Sequence, residues 1–187
     1  MAYQIMAMDG PTNMDLLPFS AAHAVAVANW PTSGSEVFMW CGQQKFPVPT
    51  QTVADWQRDD DVQAHVLVED CRLVGYGELW FDAEEDEVEL ARIIVAPGSR
   101  MKGLGRVLVR GLLAQALGAG YRDVFMRVHP HNETALRCYR GAGFVPVDVG
   151  LAQSWNADQP VNYVWLQHEA EVQGERDRAA PVRGRVG

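Results

Sequence analysis

The amino-acid sequence predicts an α+β (mixed α/β) fold: one central, mixed and largely antiparallel sheet of about 6–7 strands, flanked by about 4 helices. Three observations predict this fold class. Residues 62–95 contain three consecutive strand-like segments joined by short turns, the pattern of antiparallel hairpins. Residues 105–167 then alternate helix-like and strand-like segments, which adds a crossover connection. A chain of 187 residues with 48% hydrophobic side chains is long enough to bury one sizeable core.

Strands are predicted where apolar and polar residues alternate or where β-branched residues form short runs. The segment 62–69 shows the clearest alternation. Gly75 and Gly77 weaken the next segment and indicate either a bulge or the close approach of another element. The predicted strands are residues 16–19, 62–69, 72–81, 87–95, 123–128, 144–149 and 162–167.

Helices are predicted where a capping residue or a glycine turn precedes apolar residues at helical spacing. Leu108, Leu112 and Leu113 have this spacing and share one helical face. The stretch from Gly34 to Pro49 is predicted to be a loop, because glycine and proline interrupt it. The predicted helices are residues 21–30, a segment from Thr50 or Thr52 to Trp56, residues 105–117, and a segment from Asn132 or Thr134 to Arg140.

The predicted domain covers residues 13–168, with 1–12 as an N-terminal extension and 169–187 as a flexible C-terminal tail. The tail contains charges, glycine and proline but almost no large apolar side chains. The sequence has neither a long apolar run nor the pattern of a secretory leader. These features predict a cytoplasmic protein without a membrane partner.

Charge and cysteine content restrict the partners and cofactors further. The 24 acidic against 16 basic residues give a net charge of −8, which disfavours nucleic acid and anionic membranes but permits one local basic pocket. The three cysteines, Cys41, Cys71 and Cys138, form no CxxC pair. The sequence therefore predicts reduced thiols and no metal site.

A glycine-containing loop carries the strongest chemical signal. The strand 87–95 is followed by Arg100-x-x-Gly103-x-Gly105, and a helix begins at once. Free N–H groups at a helix start and the positive end of its dipole bind phosphate. Arg100, Lys102 and Arg106 add positive charge. The spacing matches neither GxxxxGK[ST] nor GxGxxG. On its glycines alone, the loop is also consistent with a plain turn into a helix.

The wider pattern resembles the GNAT superfamily of acetyl-CoA-dependent N-acetyltransferases over about residues 13–168. That family has V-x-P after a strand, then [QR]-x-x-G-x-[GA], and later an Asn before A-x-x-x-Y-x-x-x-G-F. The matching residues here are Val95, Pro97, Arg100, Gly103, Gly105, Asn132, Ala135, Tyr139, Gly143 and Phe144. Met101 departs from the pattern, since many members have glycine there.

The resemblance implies a sheet splayed between strands 87–95 and 123–128, with acetyl-CoA as co-substrate in the gap. The pantetheine arm would pair with the first strand, and the Ile93 amide would hold the thioester oxygen. The backbone of residues 100–106 would hold the pyrophosphate, and Asn132 would touch the cofactor. The implied cofactor-binding residues are Ile93, Ile94, Val95, Arg100, Met101, Lys102, Gly103, Leu104, Gly105, Arg106, Asn132 and Tyr139.

The resemblance also implies two catalytic residues. Tyr139 matches the tyrosine that serves as the acid for the leaving thiolate, although a helix tyrosine can equally pack in a core. Glu89 matches the strand glutamate used as base in the histone-acetylating branch. Counting by two along the strand places it on the same face as Ile93 and Val95. Glu78, Glu87 and a chain of water molecules remain alternative bases.

Other features bear on the acceptor. Trp30, Trp40, Trp56, Phe38 and Phe46 either wall an apolar acceptor pocket or pack under a long loop. The acidic run 82–89 favours a cationic amine. His129-Pro130-His131 is expected to be a loop rather than a metal pair. Arg127 stands where the branch that acetylates ribosomal proteins has a glutamate, which argues against that branch.

The sequence thus predicts an N-acetyltransferase that moves an acetyl group to the amine of a small molecule or peptide by direct attack. One alternative is a catalytically silent acyl-CoA-binding regulatory module, and another is an unrelated nucleotide-phosphate binder. Cys138 is expected to be a packed thiol rather than an acyl carrier. A homodimer is consistent with the family.

Overall fold

The computed structural model of the protein describes residues 13–168. The predicted N-terminal extension, 1–12, and the predicted C-terminal tail, 169–187, lie outside the described residues. Within residues 13–168, no helix is both long enough and apolar enough to cross a membrane.

One seven-stranded sheet forms the centre of the fold. Its strands are β1 (Met14–Pro18), β2 (Val62–Glu69), β3 (Arg72–Asp82), β4 (Glu87–Val95), β5 (Asp123–Val128), β6 (Phe144–Pro146) and β7 (Val164–His168). Their spatial order is β1-β2-β3-β4-β5-β7-β6, and only the β4–β5 pair is parallel. The predicted mixed, largely antiparallel sheet is confirmed.

Helices cover both faces of this sheet. Residues 13–168 contain α1 (Ala24–Ala28), α2 (Gly34–Cys41), α3 (Thr50–Asp55), α4 (Leu104–Gly118), α5 (Glu133–Arg140) and α6 (Val149–Asn156). Side chains of α1, α2 and α3 form one hydrophobic core with one side of β2 and β3, which we call the α2 face. Side chains of α4 and α5 form the second core, on the α4 face. The six helices exceed the number of about four expected from the sequence.

Helix α2 lies in the stretch that the sequence predicted to be a loop. The Ser33 hydroxyl accepts the N–H of Glu36 at 3.2 Å and caps the helix, and Gly42 at φ +71° ends it. Gly34 occupies the first helical position, where N–H groups have no partner within the helix. The prediction of a loop is wrong because glycine costs little at a helix end.

Helix α6 replaces part of the strand predicted for residues 144–149. Strand β6 ends at Pro146, which has no N–H with which to continue the ladder. Asp148 then accepts the N–H groups of Gly150 at 2.8 Å and Leu151 at 3.2 Å, which starts the helix.

Gly75 and Gly77 allow α4 to approach the sheet closely. A Cβ at Gly75 would lie 3.1 Å from Leu108 Cδ2, and one at Gly77 would lie 2.6 Å from Leu112 Cδ1. Both leucines are fully buried. The two glycines therefore set the distance between α4 and β3.

A β-bulge interrupts β4 at Arg92. Between the pairs Tyr76–Ile94 and Glu78–Ala91, β4 has two residues where β3 has one. Arg92 adopts a φ of +45°, a left-handed conformation that is strained for a residue with a side chain. Such bulges redirect side chains and increase the local twist of a strand.

The bulge reverses the alternation of side chains along β4. Glu89 lies opposite Trp80 and shares the α2 face with Ile94, whereas Ile93 and Val95 pack on the α4 face. The prediction that Glu89 shares a face with Ile93 and Val95 is wrong, because counting by two fails across a bulge.

A buried carboxylate holds the side chain of Arg92. Glu78 is 0% exposed and accepts hydrogen bonds from Tyr76 Oη, Trp80 Nε1 at 2.5 Å and Arg92 Nη1 at 3.0 Å. Burial raises the pKa of Glu78, and the Arg92 charge opposes that shift. The Arg92 guanidinium lies 4.1 Å from the centre of the Trp56 ring. These contacts offset the backbone strain at the bulge.

Replacing Gly77 tests the close approach of α4. Gly77→Ala is expected to lower the free energy of unfolding by about 1–3 kcal/mol, because the new methyl group overpacks against Leu112. Urea unfolding monitored by circular dichroism measures this value. Gly98→Ala, where a Cβ meets nothing within 4 Å, is the control and should stay within about 0.5 kcal/mol of wild type. Equal small effects at both positions would contradict the proposed packing.

Replacing Glu78 tests the support of the bulge. Glu78→Gln is expected to lower the free energy of unfolding by about 3 kcal/mol, because it leaves the partly buried Arg92 charge without its carboxylate. Glu133→Gln is the control, since its ion pair with Arg137 is exposed and should contribute less than about 0.5 kcal/mol. Both values come from guanidinium denaturation at pH 7. A Glu78→Gln protein as stable as the control would show that Arg92 does not need this partner.

Candidate functional site

Strands β4 and β5 separate in the middle of the sheet. They pair only over Glu87–Asp123, Val88–Val124 and Glu89–Phe125, and beyond these positions the two strands do not pair with each other. A cleft of about 850 Å³ lies between the separated segments, α2, α5 and the start of α4. This is the opening that the resemblance implied.

Most of the predicted cofactor residues line this cleft. They are Ile93, Ile94, Val95, Arg100, Met101, Gly103, Gly105, Arg106, Asn132 and Tyr139. Lys102 and Leu104 do not line it. The Lys102 ammonium donates to the Gly98 carbonyl at 3.0 Å, and the Leu104 side chain is buried in the core. Any contact that these two residues make with a ligand would therefore come from their backbone.

Free amide groups mark the start of α4. Gly103, at φ +83°, precedes the helix, a conformation that suits glycine. Among the described residues, the amides of Gly103, Leu104 and Gly105 donate no backbone hydrogen bond, whereas the Arg106 amide donates to the Gly103 carbonyl at 3.0 Å. The helix has 15 residues, so its dipole adds partial positive charge at this end. The arrangement suits an anion such as a phosphate.

The Arg100 side chain is held by other parts of the protein. Its Nε donates to the Val95 carbonyl at 3.0 Å, and its Nη2 donates to the Trp30 carbonyl at 3.2 Å and pairs with Glu36 at 2.6 Å. Burial alone would raise the pKa of Glu36, but hydrogen bonds from Thr32 and the Arg100 charge lower it overall. The Arg100 side chain thus ties the glycine loop to α2 instead of pointing freely at a phosphate.

Tyr139 and Asn132 enter the cleft from α5. Tyr139 is 9% exposed, and within residues 13–168 no hydrogen bond to its hydroxyl contributes to its pKa. Burial, together with the neighbouring Cys138, raises the pKa of Tyr139, so the phenol stays protonated at neutral pH. The Asn132 side-chain oxygen accepts the Ala135 N–H at 3.1 Å and caps α5, and the residue also lines the cleft.

Glu89 lies at the last paired position before β4 and β5 separate. Its carboxylate pairs with Arg127 Nε at 2.9 Å, and its side chain is 19% exposed. Burial raises the pKa of Glu89 to about 7, against the lowering effect of Arg127 and Arg92. Arg127 lines the cleft and Glu89 does not, so the carboxylate lies behind the guanidinium. The alternative bases Glu78 and Glu87 do not line the cleft either.

Three of the aromatic residues predicted for an acceptor pocket, Trp30, Trp40 and Trp56, belong to the core on the α2 face, where the Trp40 and Trp56 ring centroids lie 5.4 Å apart. Only Trp40 lines the cleft, and its Nε1 donates to the Arg92 carbonyl at 2.7 Å. Trp30 is buried in the core, Trp56 stacks on Arg92, and Phe46 is 49% exposed. The Phe38 ring packs edge-on against the His129 ring, with the two ring centroids 5.9 Å apart.

Sequence reasoning missed several residues of the cleft wall. Glu36, Met39, Arg92 and Arg127 belong to it but were not assigned a binding role from the sequence. An arginine in the otherwise apolar end of β4 is a signal that could have pointed to Arg92.

The two histidines after β5 do not form part of a metal cluster. Their rings lie 5.2 Å apart, and the described residues contain no group of three or more His, Cys, Asp or Glu side chains arranged to hold a metal. His129 lines the cleft, and its Nδ1 accepts the His131 amide at 3.2 Å.

The chain is similar in sequence to two curated acetyltransferases. Over 140 residues the chain is 29% identical to mycothiol acetyltransferase of Corynebacterium efficiens, covering 72% of this chain and 46% of that protein. Over 87 residues it is 36% identical to streptothricin acetyltransferase of Streptomyces lavendulae, covering 46% of each. The chain therefore spans about half the length of these curated relatives.

Solved structures show the same fold. Aminoglycoside acetyltransferase AAC(6')-Ib in complex with coenzyme A and kanamycin superposes with a TM-score of 0.66 at 16% identity, covering 83% of this chain and 94% of that one. Spermidine N-acetyltransferase from Vibrio cholerae in complex with CoA and spermine gives 0.63 at 18% identity, covering 72% and 82%. A profile of the Acetyltransferase (GNAT) family matches residues 27–144, more than half of the chain. The protein therefore belongs to the GNAT acetyltransferase family.

Proposed function

We propose that the protein transfers an acetyl group from acetyl-CoA to an amine of a small molecule or peptide by direct attack, with both substrates bound together. The observation that carries this proposal is the row of three free amides at the start of α4, next to a cleft between separated strands. The names of the relatives, which include spermidine and aminoglycoside acetyltransferases, support a small-molecule amine as acceptor.

The glycine loop would hold the diphosphate of CoA. The Gly103, Leu104 and Gly105 amides would donate to it, and the Arg106 guanidinium would add a charge-assisted hydrogen bond. The pantetheine arm would lie along the part of β4 that does not pair with β5, where Ile93–Val95 line the cleft. The Ile93 amide would then stabilise the thioester oxygen as negative charge develops on it.

Two proton transfers accompany the reaction. The acceptor ammonium, with an ordinary pKa near ~10.4, must lose a proton before its nitrogen attacks the thioester carbon. We assign Glu89 as the base, acting through a water molecule because Arg127 lies between it and the cleft. When the carbon–sulfur bond breaks, Tyr139 would give its proton to the leaving thiolate, and its burial keeps that proton in place until then.

Binding of CoA should depend on Arg106. Titration calorimetry is expected to show one CoA site, with a Kd at least tenfold weaker for Arg106→Gln, since a charged hydrogen bond contributes about 1.5–3 kcal/mol. Arg110→Gln is the control, because Arg110 lies one turn further along α4 and donates to the Gly141 carbonyl outside the cleft. A wild-type protein that shows no heat with CoA would refute the proposed site.

Turnover should depend on Glu89 and Tyr139. In assays of thiol release, kcat/KM is expected to fall as pH drops below about 7, because Glu89 accepts a proton only in its ionised form. Glu89→Gln should remove this acidic limb, and the control Glu87→Gln should keep it.

Tyr139→Phe should lower kcat about 100-fold with an unchanged Kd for CoA. CoA binding without thiol release for any amine would instead identify a silent regulatory module.

A further inference from the structure

Two arginines line the cleft on the α2 face, close to the point where β4 and β5 separate. The Arg92 guanidinium lies 4.8 Å and the Arg127 guanidinium 5.5 Å from the centre of the same Trp80 ring. Their side chains are 20% and 26% exposed, so both keep access to the cleft. Both positive groups therefore lie in the cleft wall against the same ring, on the face of the sheet that also carries Glu89, the proposed base.

Both guanidiniums are fixed in place and yet keep free donors. Arg92 uses Nη1 for Glu78, and Arg127 uses Nε for Glu89 and Nη1 for Gln159 at 3.3 Å. The Arg92 Nε and Nη2 and the Arg127 Nη2 make no hydrogen bond to another described residue. A planar guanidinium held in this way is pre-organised to bind a carboxylate, since little side-chain freedom remains to be lost.

The same wall offers little to an acceptor with several positive charges. Among the described residues, Glu36 is the only carboxylate that lines the cleft, and Arg100 and Thr32 already engage it. The acidic residues of the β3–β4 turn, 82–87, do not line the cleft. An acceptor resembling a polyamine would therefore meet two arginines without a free carboxylate to pair with.

From these contacts we propose that the acceptor is an amino acid or similar amine that also carries a carboxylate, and that Arg92 and Arg127 bind this carboxylate. The inference rests on the proposed acetyl transfer and names its substrate class. An acceptor of this class takes the place of the cationic amine that the acidic run 82–89 led us to expect. A carboxylate held there would leave the amine of the same molecule next to the proposed thioester position. The neighbouring guanidiniums would also favour the neutral form of that amine, the form that attacks.

Matched acceptors test the proposal with the intact protein. The rate of thiol release from acetyl-CoA is measured with tryptophan, lysine and phenylalanine. Each is compared with its decarboxylated amine and with its carboxamide. For at least one of the three, the carboxylated acceptor is expected to have a kcat/KM at least tenfold above both twins. Turnover of the amines or carboxamides with no preference for any carboxylated acceptor would overturn the proposal, while the acetyltransferase function would stand.

Variants then locate the preference. Arg127→Lys keeps the charge but loses the planar fork, and Arg92→Lys does the same at the bulge. Each should lower the ratio of kcat/KM between the carboxylated acceptor and its amine at least threefold. This ratio cancels any change in the base, because both acceptors share it. Arg110→Gln, outside the cleft, should leave the ratio unchanged. Ratios that stay at the wild-type value in both lysine variants would refute the assignment to these arginines.

A binding measurement decides the matter without turnover. Calorimetry on the protein saturated with CoA compares N-acetyltryptophan, N-acetyllysine and N-acetylphenylalanine with the acetylated decarboxylated amines. The proposal expects at least one N-acetylamino acid to bind at least tenfold more tightly than its decarboxylated twin. Equal binding, or tighter binding of every decarboxylated twin, would overturn it. Absence of thiol release from all acceptors, by contrast, would count against the proposed function alone.

Discussion

The separation of β4 from β5 after Glu89–Phe125 is the feature on which the rest of the site depends. Backbone N–H and C=O groups inside a protein need hydrogen-bond partners, so two central strands rarely run apart without something between them. Here the parting opens a cleft whose walls are strand backbone, the start of α4 and the side of α5. A ligand with an extended polar arm is the natural partner for such a wall, and the free amides of the glycine loop mark where its anionic end would lie.

The bulge at Arg92 connects this cleft to the core. Its backbone strain is offset by a fully buried glutamate, by aromatic rings and by the hydrogen bond from Trp40 to its carbonyl. These contacts come from α2, from Trp56 directly after α3, and from β3, so the α2 face supports the shape of β4 from one side. Gly75 and Gly77 let α4 pack closely on the other side. The position of the cleft wall therefore depends on both cores.

The electrostatics of the cleft differ from those of the whole chain. The protein carries a net charge of −8, yet within residues 13–168 five arginines and one glutamate line the cleft. Net charge describes long-range attraction, whereas a bound group responds to the few charges within several ångströms of it. The acidic β3–β4 turn contributes to the long-range attraction, whereas the arginines supply the charges close to a group bound in the cleft. Net charge alone therefore does not describe the charges that a group bound in the cleft would meet.

The sequence by itself determined the fold class, most strands, helices α3, α4 and α5, and the glycine loop with its family motif, because these depend on local periodicity, turns and spacing. Helices α2 and α6 were missed, since the caps at Ser33 and Asp148 are weak signals beside glycine and proline. Only the tertiary structure decided that Arg100 ties the loop to α2, that Glu89 lies behind Arg127, and that Arg92 joins the cleft wall. Each of these positions depends on which side chains of different helices and strands come into contact. One bulged residue in a strand is enough to change which face of the sheet the following side chains lie on.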